Sequence, residues 1–311
     1  MNRIIQAATS THKARKAVFF AARYLPLLAL AFVFLFPIMF MLMSSFKPTA
    51  TLLQHSNDFR AFMPVPFDQL SFNNYVEAFN RAPVRLFIVN SLIVTGITMA
   101  CTLFFASLAA FSLVFLNWWG RTIALSVILA TMVVPFETRA IPLLLIVNNL
   151  PWFDGNRELL SFAGMTVKGG WFNTYHVQII PFIADALSVF LFVQYFKDLP
   201  KDLVAAARVD GANWFQVYWK IILPLSGPIF ATVAILKFIE MYNNQFIWPN
   251  MVIQTEQYRP IMVGLQYFFQ LNTAWGEIMA YLSIISVPVM IFYLALQRAF
   301  IASIAATGVK G

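Results

Sequence analysis

Residues 86–115 read LFIVNSLIVTGITMACTLFFASLAAFSLVF, thirty consecutive positions without Asp, Glu, Lys or Arg. A helix rises about 1.5 Å per residue, so about 20 such residues cross a bilayer core. Barrel strands alternate apolar and polar residues, and this run does not. A break is expected near its end. Five more apolar runs cover residues 25–46, 122–147, 177–196, 229–248 and 278–296. The expected fold class is all-α: a polytopic membrane protein with six transmembrane helices.

Composition agrees. Of 311 residues, 60% are hydrophobic and 11% charged, and the mean hydropathy is +0.73. Soluble domains average roughly 45–50% apolar and about 25% charged. An ordinary soluble enzyme, a disordered protein and a nucleic-acid reader are therefore excluded. The net charge of +8 is spread along the chain and forms no basic face. Cys101 has no partner for an internal disulfide. His12, His55 and His176 lie far apart in sequence, so no metal site is expected. We find no internal repeat and no low-complexity tract.

The first run follows Arg3, Lys13, Arg15, Lys16 and Arg23, with no acid among them. Its length exceeds the roughly 7–15 apolar residues of a signal peptide, and it is read as an uncleaved anchor. Six spans place both termini on one side. If that side is cytoplasmic, twelve cations face inward: those five, Arg121, Lys197, Lys201, Arg208, Lys220, Arg298 and Lys310. Seven face outward: Lys47, Arg60, Arg81, Arg85, Arg157, Lys168 and Arg259. The excess of cations marks the cytoplasmic side. The expected organisation is a basic cytoplasmic tail at 1–24, a six-span domain at 25–300 and a cytoplasmic tail at 301–311.

Three loops are expected outside, at 48–81, 148–176 and 249–277. The second is long and carries Trp152, Phe153, Phe162, Trp171 and Phe172, with a short helix expected around 157–163. Loops of this length are usually functional or disordered. So many aromatics argue against a disordered linker. It is read as a lid on the protein's own surface or as a landing site for a binding protein.

The cytoplasmic loop at 197–228 is the most informative. Pro200 can open a helix and Asp202 suits its dipole. Leu203, Ala206 and Ala207 fall on one face. Asp210-Gly211 supplies a stop. Trp214, Val217, Tyr218, Ile221 and Ile222 then follow helical spacing, and Leu223-Pro224 ends the second helix.

The order of residues in this loop carries a resemblance. Ala205-Ala206-Ala207-Arg208-Val209-Asp210-Gly211, nine residues, then Ile221-Ile222-Leu223-Pro224 resembles the EAA loop of ABC-importer permeases. Ser45-Phe46-Lys47-Pro48, Asn90-Ser91-Leu92, Asn173-Thr174-Tyr175, Gln194-Tyr195-Phe196 and Gly308-Val309-Lys310-Gly311 resemble the carbohydrate-uptake, maltose-type branch, and its smaller six-span permease most of all. The resemblance implies an ABC-importer permease fold whose coupling-helix loop docks on a cytoplasmic ATPase. Its coupling residues would be Ala205, Ala206, Ala207, Asp210, Gly211, Ile221, Leu223 and Pro224. It implies as partners a second, homologous permease, an ATPase dimer carrying ATP and Mg, an extracytoplasmic solute-binding protein and the membrane lipid. It implies a sugar, polyol or sugar-phosphate solute and no cofactor in this chain. Two departures stand out: the family glutamate is Ala205 here, with Asp202 nearby, and the 148–176 loop is longer than usual.

Charges within the spans need a reason, because each costs about 2.5–3.5 kcal/mol at the bilayer centre. Lys237 and Glu240 are three apart on one helix face, and Asp185 lies in the fourth run. They form a structural ion pair or help close a path. Glu137 and Arg139 lie between Pro135 and Pro142, where a broken helix can line a cavity, or they snorkel to the interface. Tyr242, Asn243, Asn244, Gln245 and Trp248 combine amides with rings, which suits either a sugar or an interfacial belt.

The leading function is thus a transport subunit at the inner membrane. It lacks the G-x-x-x-x-G-K-[ST] pattern for nucleotide binding, so energy must come from a partner. An ion-coupled secondary carrier could use Asp185 and Glu240 but would not need the docking loop. A membrane-embedded enzyme would need a nucleophile with a base or metal ligands; no catalytic residue is assigned.

Overall fold

The computed structural model describes residues 2–54, 58–63, 69–151, 157–162, 165–243, 246–269 and 273–308. The chain divides into two units, residues 1–80 with 271–284, and residues 81–270 with 285–311.

The first unit holds α1 (Asn2–Ser45), α2 (Thr49–Gln54), most of α3 (Asn73–Arg81) and the first turns of α14 (Trp275–Gly308). α1 includes the apolar stretch Ala22–Ser45, no part of whose most apolar window is buried within the chain. Leu25, Leu28, Phe32 and Phe34 therefore face lipid or another protein, while Phe36 and Phe40 meet the Phe62 ring. Where α1 ends, Asn74 of α3 ties the chain down. Its Nδ2 donates to the carbonyls of Ser45 at 2.8 Å and Lys47 at 2.7 Å. Burial lowers the pKa of the Lys47 ammonium from its usual value. Gly276, at the start of α14, lies against the Asn74 side chain, where an added Cβ would stand 2.6 Å from Oδ1.

The second unit is organised on α4 (Val84–Phe115), which runs without the break expected near its end. Asn90, Ser91, Val94, Thr95, Thr98, Thr102, Ala106 and Ala110 are buried along one face, while Leu92, Ile97, Phe104 and Phe105 stay exposed. Small and hydroxylated residues let helices approach closely where lipid gives no hydrophobic drive between them. α8 (Ala186–Lys197) and α12 (Gly227–Asn243) pack on α4.

Among the described residues, three helices are long and apolar enough to cross a membrane, and three bent pairs pass the same test together. α5 (Arg121–Thr131) and α6 (Phe136–Asn149) meet at 102°, so the third run is not a straight rod. Pro135 precedes α6 in extended conformation, as its missing N–H and its restriction of Val134 dictate. α7 (Tyr175–Ile179) passes through a 3-10 turn, Ile180–Phe182, and meets α8 at 41°.

The fourth connection also bends. After α9 (Lys201–Val209), α10 (Trp214–Val217) passes into a π-turn, Tyr218–Ile222, and α11 (Leu223–Leu225). Leu223-Pro224 does not end this helix. The π-turn places the Leu223 N–H on the Tyr218 carbonyl and widens the helix just where the Pro224 ring would strike a regular turn. The chain then turns 77° into α12. α12 stops at Asn243, and Trp248 belongs to a separate helix, α13 (Ile247–Val252), not to the fifth run.

The 148–176 loop contains an antiparallel hairpin, β1 (Arg157–Phe162) and β2 (Met165–Gly169), in place of the short helix expected there. Phe162 pairs with Met165, so two residues connect the strands, the commonest length for a hairpin. Apart from this hairpin, the described regular structure is helical.

Candidate functional site

The 197–228 loop is built from local chemistry. α9 ends in a Schellman motif: Gly211 N–H donates to the Arg208 carbonyl at 3.2 Å and Ala212 N–H to the Ala207 carbonyl at 2.9 Å. Gly211 adopts φ +85°, where L side chains are strained, although an added Cβ there would meet nothing within 4 Å. α10 opens with a capping box between Asn213 and Gln216. Arg208 spans the joint, donating to the Ala212 carbonyl at 2.6 Å and lying over the Trp214 ring. The sequence marks Arg208 only as a cytoplasmic cation within the motif, and neither the box nor this bridging role is expected from it, although the Asn-x-x-Gln spacing is visible there.

The buried face of this loop differs from the expected one. Val204, Val217, Tyr218 and Ile222 are buried with Phe111, Phe192 and Phe196, and Ala207 packs against them. Leu203 and Ala206 point outward instead, because α4 and α8 meet the other side of α9. Leu203, Val209 and Phe215 are 46%, 88% and 69% exposed. Ala205, Asp202, Asp210, Gly211 and Pro224 are exposed, and Ile221 and Leu223 are half-buried.

A second constellation lies where the breaks meet α12. Lys237, 2% exposed, pairs with Glu240 at 3.0 Å and with Asp185 at 4.0 Å, so both acids serve it. Asp185 caps α8, accepting from Ser188 N–H at 2.9 Å and from the Ser188 hydroxyl. It therefore occupies the break before the helix rather than the helix itself. Two cavities, about 640 and 510 Å³, share Phe136, Arg139, Phe182 and Glu240 in their walls. Asp185 and Lys237 line the first; Glu137, Asn243 and Trp248 line the second. Phe136, Phe182 and Trp248 are in mutual ring contact, with centroids 5.6–6.2 Å apart. The Trp248 indole donates to the Val177 carbonyl at 2.9 Å. Tyr242 does not join them: it is fully buried, and its hydroxyl has no partner among the described residues. Asn244 and Gln245 lie outside the described residues.

The motifs Asn90-Ser91 and Asn173-Thr174-Tyr175 hold a loop. Asn90 Nδ2 donates to the Gln257 and Arg259 carbonyls, both at 2.9 Å, and its Oδ1 accepts from Tyr175 at 2.7 Å. Ser91 accepts from Ile261 N–H at 2.8 Å. Asn173, at φ +58°, accepts from the N–H groups of Gln254 at 2.6 Å and Thr255 at 3.0 Å. Further along this loop, Tyr267 donates to Glu256. Its phenol pKa is raised by burial and by that bond, against the lowering effect of Arg259.

Residues 102–305 match the family described as binding-protein-dependent transport system inner membrane component. This chain belongs to that family. It is a multi-pass membrane protein and a permease subunit of an ABC importer rather than an enzyme. The arabinooligosaccharides transport system permease protein AraQ of Bacillus subtilis is 30% identical over 304 residues, covering 96% of this permease and 99% of the relative. The sn-glycerol-3-phosphate transport system permease protein UgpE of Salmonella typhimurium is 30% identical over 225 residues, 71% and 73% of the two chains. A chain in the crystal structure of a bacterial ABC transporter involved in the import of the acidic polysaccharide alginate shares the fold, with a TM-score of 0.72 at 22% identity, covering 91% of this permease and 97% of that chain.

Proposed function

We propose that this permease forms half of the translocation path for a sugar or related polyol or sugar-phosphate solute, and that its 197–228 loop couples the path to a separate ATPase. The observation that carries the reading is the joint at Gly211. Two short helices are fixed about a left-handed glycine and display Leu203, Val209 and Phe215 to solvent. Exposed apolar side chains on an otherwise charged loop suit a protein partner. Asp202, exposed in the first turn of α9, stands where it can supply the polar interaction that the Ala205 methyl group cannot make. The carbohydrate class is supported by the printed names of the relatives, which concern arabinooligosaccharides and sn-glycerol 3-phosphate. The partners in this reading are a second, homologous permease, an ATPase dimer holding ATP and Mg, and an extracytoplasmic binding protein that lands on the 148–176 loop. Both termini are cytoplasmic, as the excess of cations implies.

The test places charge on the exposed face. Val209→Glu and Phe215→Glu should leave membrane insertion unchanged and abolish co-purification with the ATPase. Uptake by the chain alone in proteoliposomes, driven by an ion gradient, would favour a secondary carrier instead.

A further inference from the structure

The two cavities that share Phe136, Arg139, Phe182 and Glu240 carry a reading that deepens the proposed function and rests on it. Glu137, Arg139 and Glu240 are exposed in the isolated chain at the height of the α5–α6 break and the end of α12. A lipid-facing surface would penalise each of these charges, so this face meets water, solute or protein. Arg139 has neither hydrogen bond nor ion pair among the described residues, and it lines both cavities. Glu240 gives one oxygen to Lys237 and keeps the other free. Phe136 and Phe182, which line both cavities with them, are in ring contact with each other and with Trp248. The volumes lie within the roughly 300–1,000 Å³ of sites that enclose small molecules.

We propose that this aromatic corner, with Arg139 and Glu240 in the same walls, is a solute subsite of this permease for a neutral pyranose ring. The apolar C–H face of a sugar lies on Phe136 and Phe182. Its hydroxyls donate to the Glu240 carboxylate and accept from the Arg139 guanidinium, whose planar fork suits two adjacent oxygens. Asn243 supplies a further donor and acceptor at the rim of the second cavity. Charge fixes the class. Arg139 and Lys237 face three carboxylates, Glu137, Asp185 and Glu240, and Lys237 is already flanked by two of them. The lining is therefore net negative and disfavours a phosphate or carboxylate on the solute. This separates the subsite from one built for a sugar phosphate.

The experiment uses the full chain in lipid nanodiscs and saturation-transfer NMR, irradiating the aromatic protons, with melibiose, raffinose and glycerol 3-phosphate as probes. The two neutral sugars should receive saturation on their ring C–H protons and glycerol 3-phosphate should not. Arg139→Gln removes a charged donor worth roughly 1.5–3 kcal/mol, so sugar affinity should fall by about tenfold or more. Phe136→Leu should weaken the signal while leaving Arg139 in place. Transfer to neither sugar, equal transfer to glycerol 3-phosphate, or transfer unchanged in both variants overturns the subsite. Co-purification of the Arg139→Gln chain with the ATPase is read in parallel. If it is retained while sugar transfer is unaffected, the subsite is wrong and the coupling of the 197–228 loop to the ATPase stands; if the unsubstituted chain captures no ATPase, that coupling is what fails.

Discussion

The guanidinium of Arg208 lies 4.6 Å from the centre of the Trp214 ring, on the far side of Gly211 from its own helix. The same guanidinium donates to the Ala212 carbonyl at 2.6 Å. One side chain thus bridges the end of α9 and the start of α10. With the Schellman bonds and the capping box, it fixes the angle at which two short helices leave the body of the protein.

That angle depends on Gly211. A β-branched residue at φ +85° is strained by about 1–3 kcal/mol, although an added Cβ there meets nothing within 4 Å. Gly211→Val should insert normally but lower transport per ATP hydrolysed. Gly211→Asn, which tolerates the left-handed region, should restore most of it. Wild-type coupling in the Val variant, at equal expression, would refute the role of the joint.

Lys237 answers to two acids. Lys237→Met removes the buried cation that both Glu240 and Asp185 face. The loss should be greater than in Lys237→Met/Glu240→Gln, with a coupling energy of roughly 0.5–3 kcal/mol in a double-mutant cycle read by thermal unfolding in detergent. Additivity with both Glu240→Gln and Asp185→Asn would mean that the observed proximity carries no energy.

Gly276 is a matter of space. A methyl group there would stand 2.6 Å from Asn74 Oδ1 and 2.7 Å from Nδ2, and Asn74 cannot retreat without releasing the Ser45 and Lys47 carbonyls. Gly276→Ala should cost about 1–3 kcal/mol of stability. In the Asn74→Ala background the same substitution should be nearly silent. A neutral Gly276→Ala in the unsubstituted chain would contradict the contact.

Asn173 can be read by hydrogen exchange. Asn173→Ala removes the acceptor for two backbone N–H groups and disfavours φ +58°. Exchange at Gln254 and Thr255 should accelerate by about tenfold, as expected for the loss of 1–2 kcal/mol of local stability. Asn173→Asp keeps the acceptor oxygen and should accelerate it far less. Equal rates in the Ala variant and the parent would show that the loop is held by other contacts.

What could be read from the chain beforehand follows the range of the forces involved. The Gly211 stop and the proline break at Pro135 were legible because backbone chemistry within four residues decides them. The size of the 102° bend was not, since α6 is placed by residues far along the chain. Helical spacing on α9 allows either Leu203 and Ala206 or Val204 and Ala207 as the inner face; only the packing of α4 and α8 selects the second. The run at 157–163 has residues that favour a helix, yet the pairing of Arg157–Phe162 with Met165–Gly169 outweighs that local preference. At the cavities, the charges stood out individually. Phe136 and Phe182 did not, because an aromatic in an apolar run carries no mark of what it faces.

The π-turn at Tyr218–Ile222 takes up one residue more than a regular turn would hold. An α-helical turn closes on the fourth residue and a π-turn on the fifth, so the extra residue is absorbed in the wider turn and the helix on either side keeps its course. Removing a single residue between Val217 and Leu223 would close the turn to a regular one and set the Pro224 ring against the carbonyl four residues before it. The chain is tuned there by residue count as well as by residue identity.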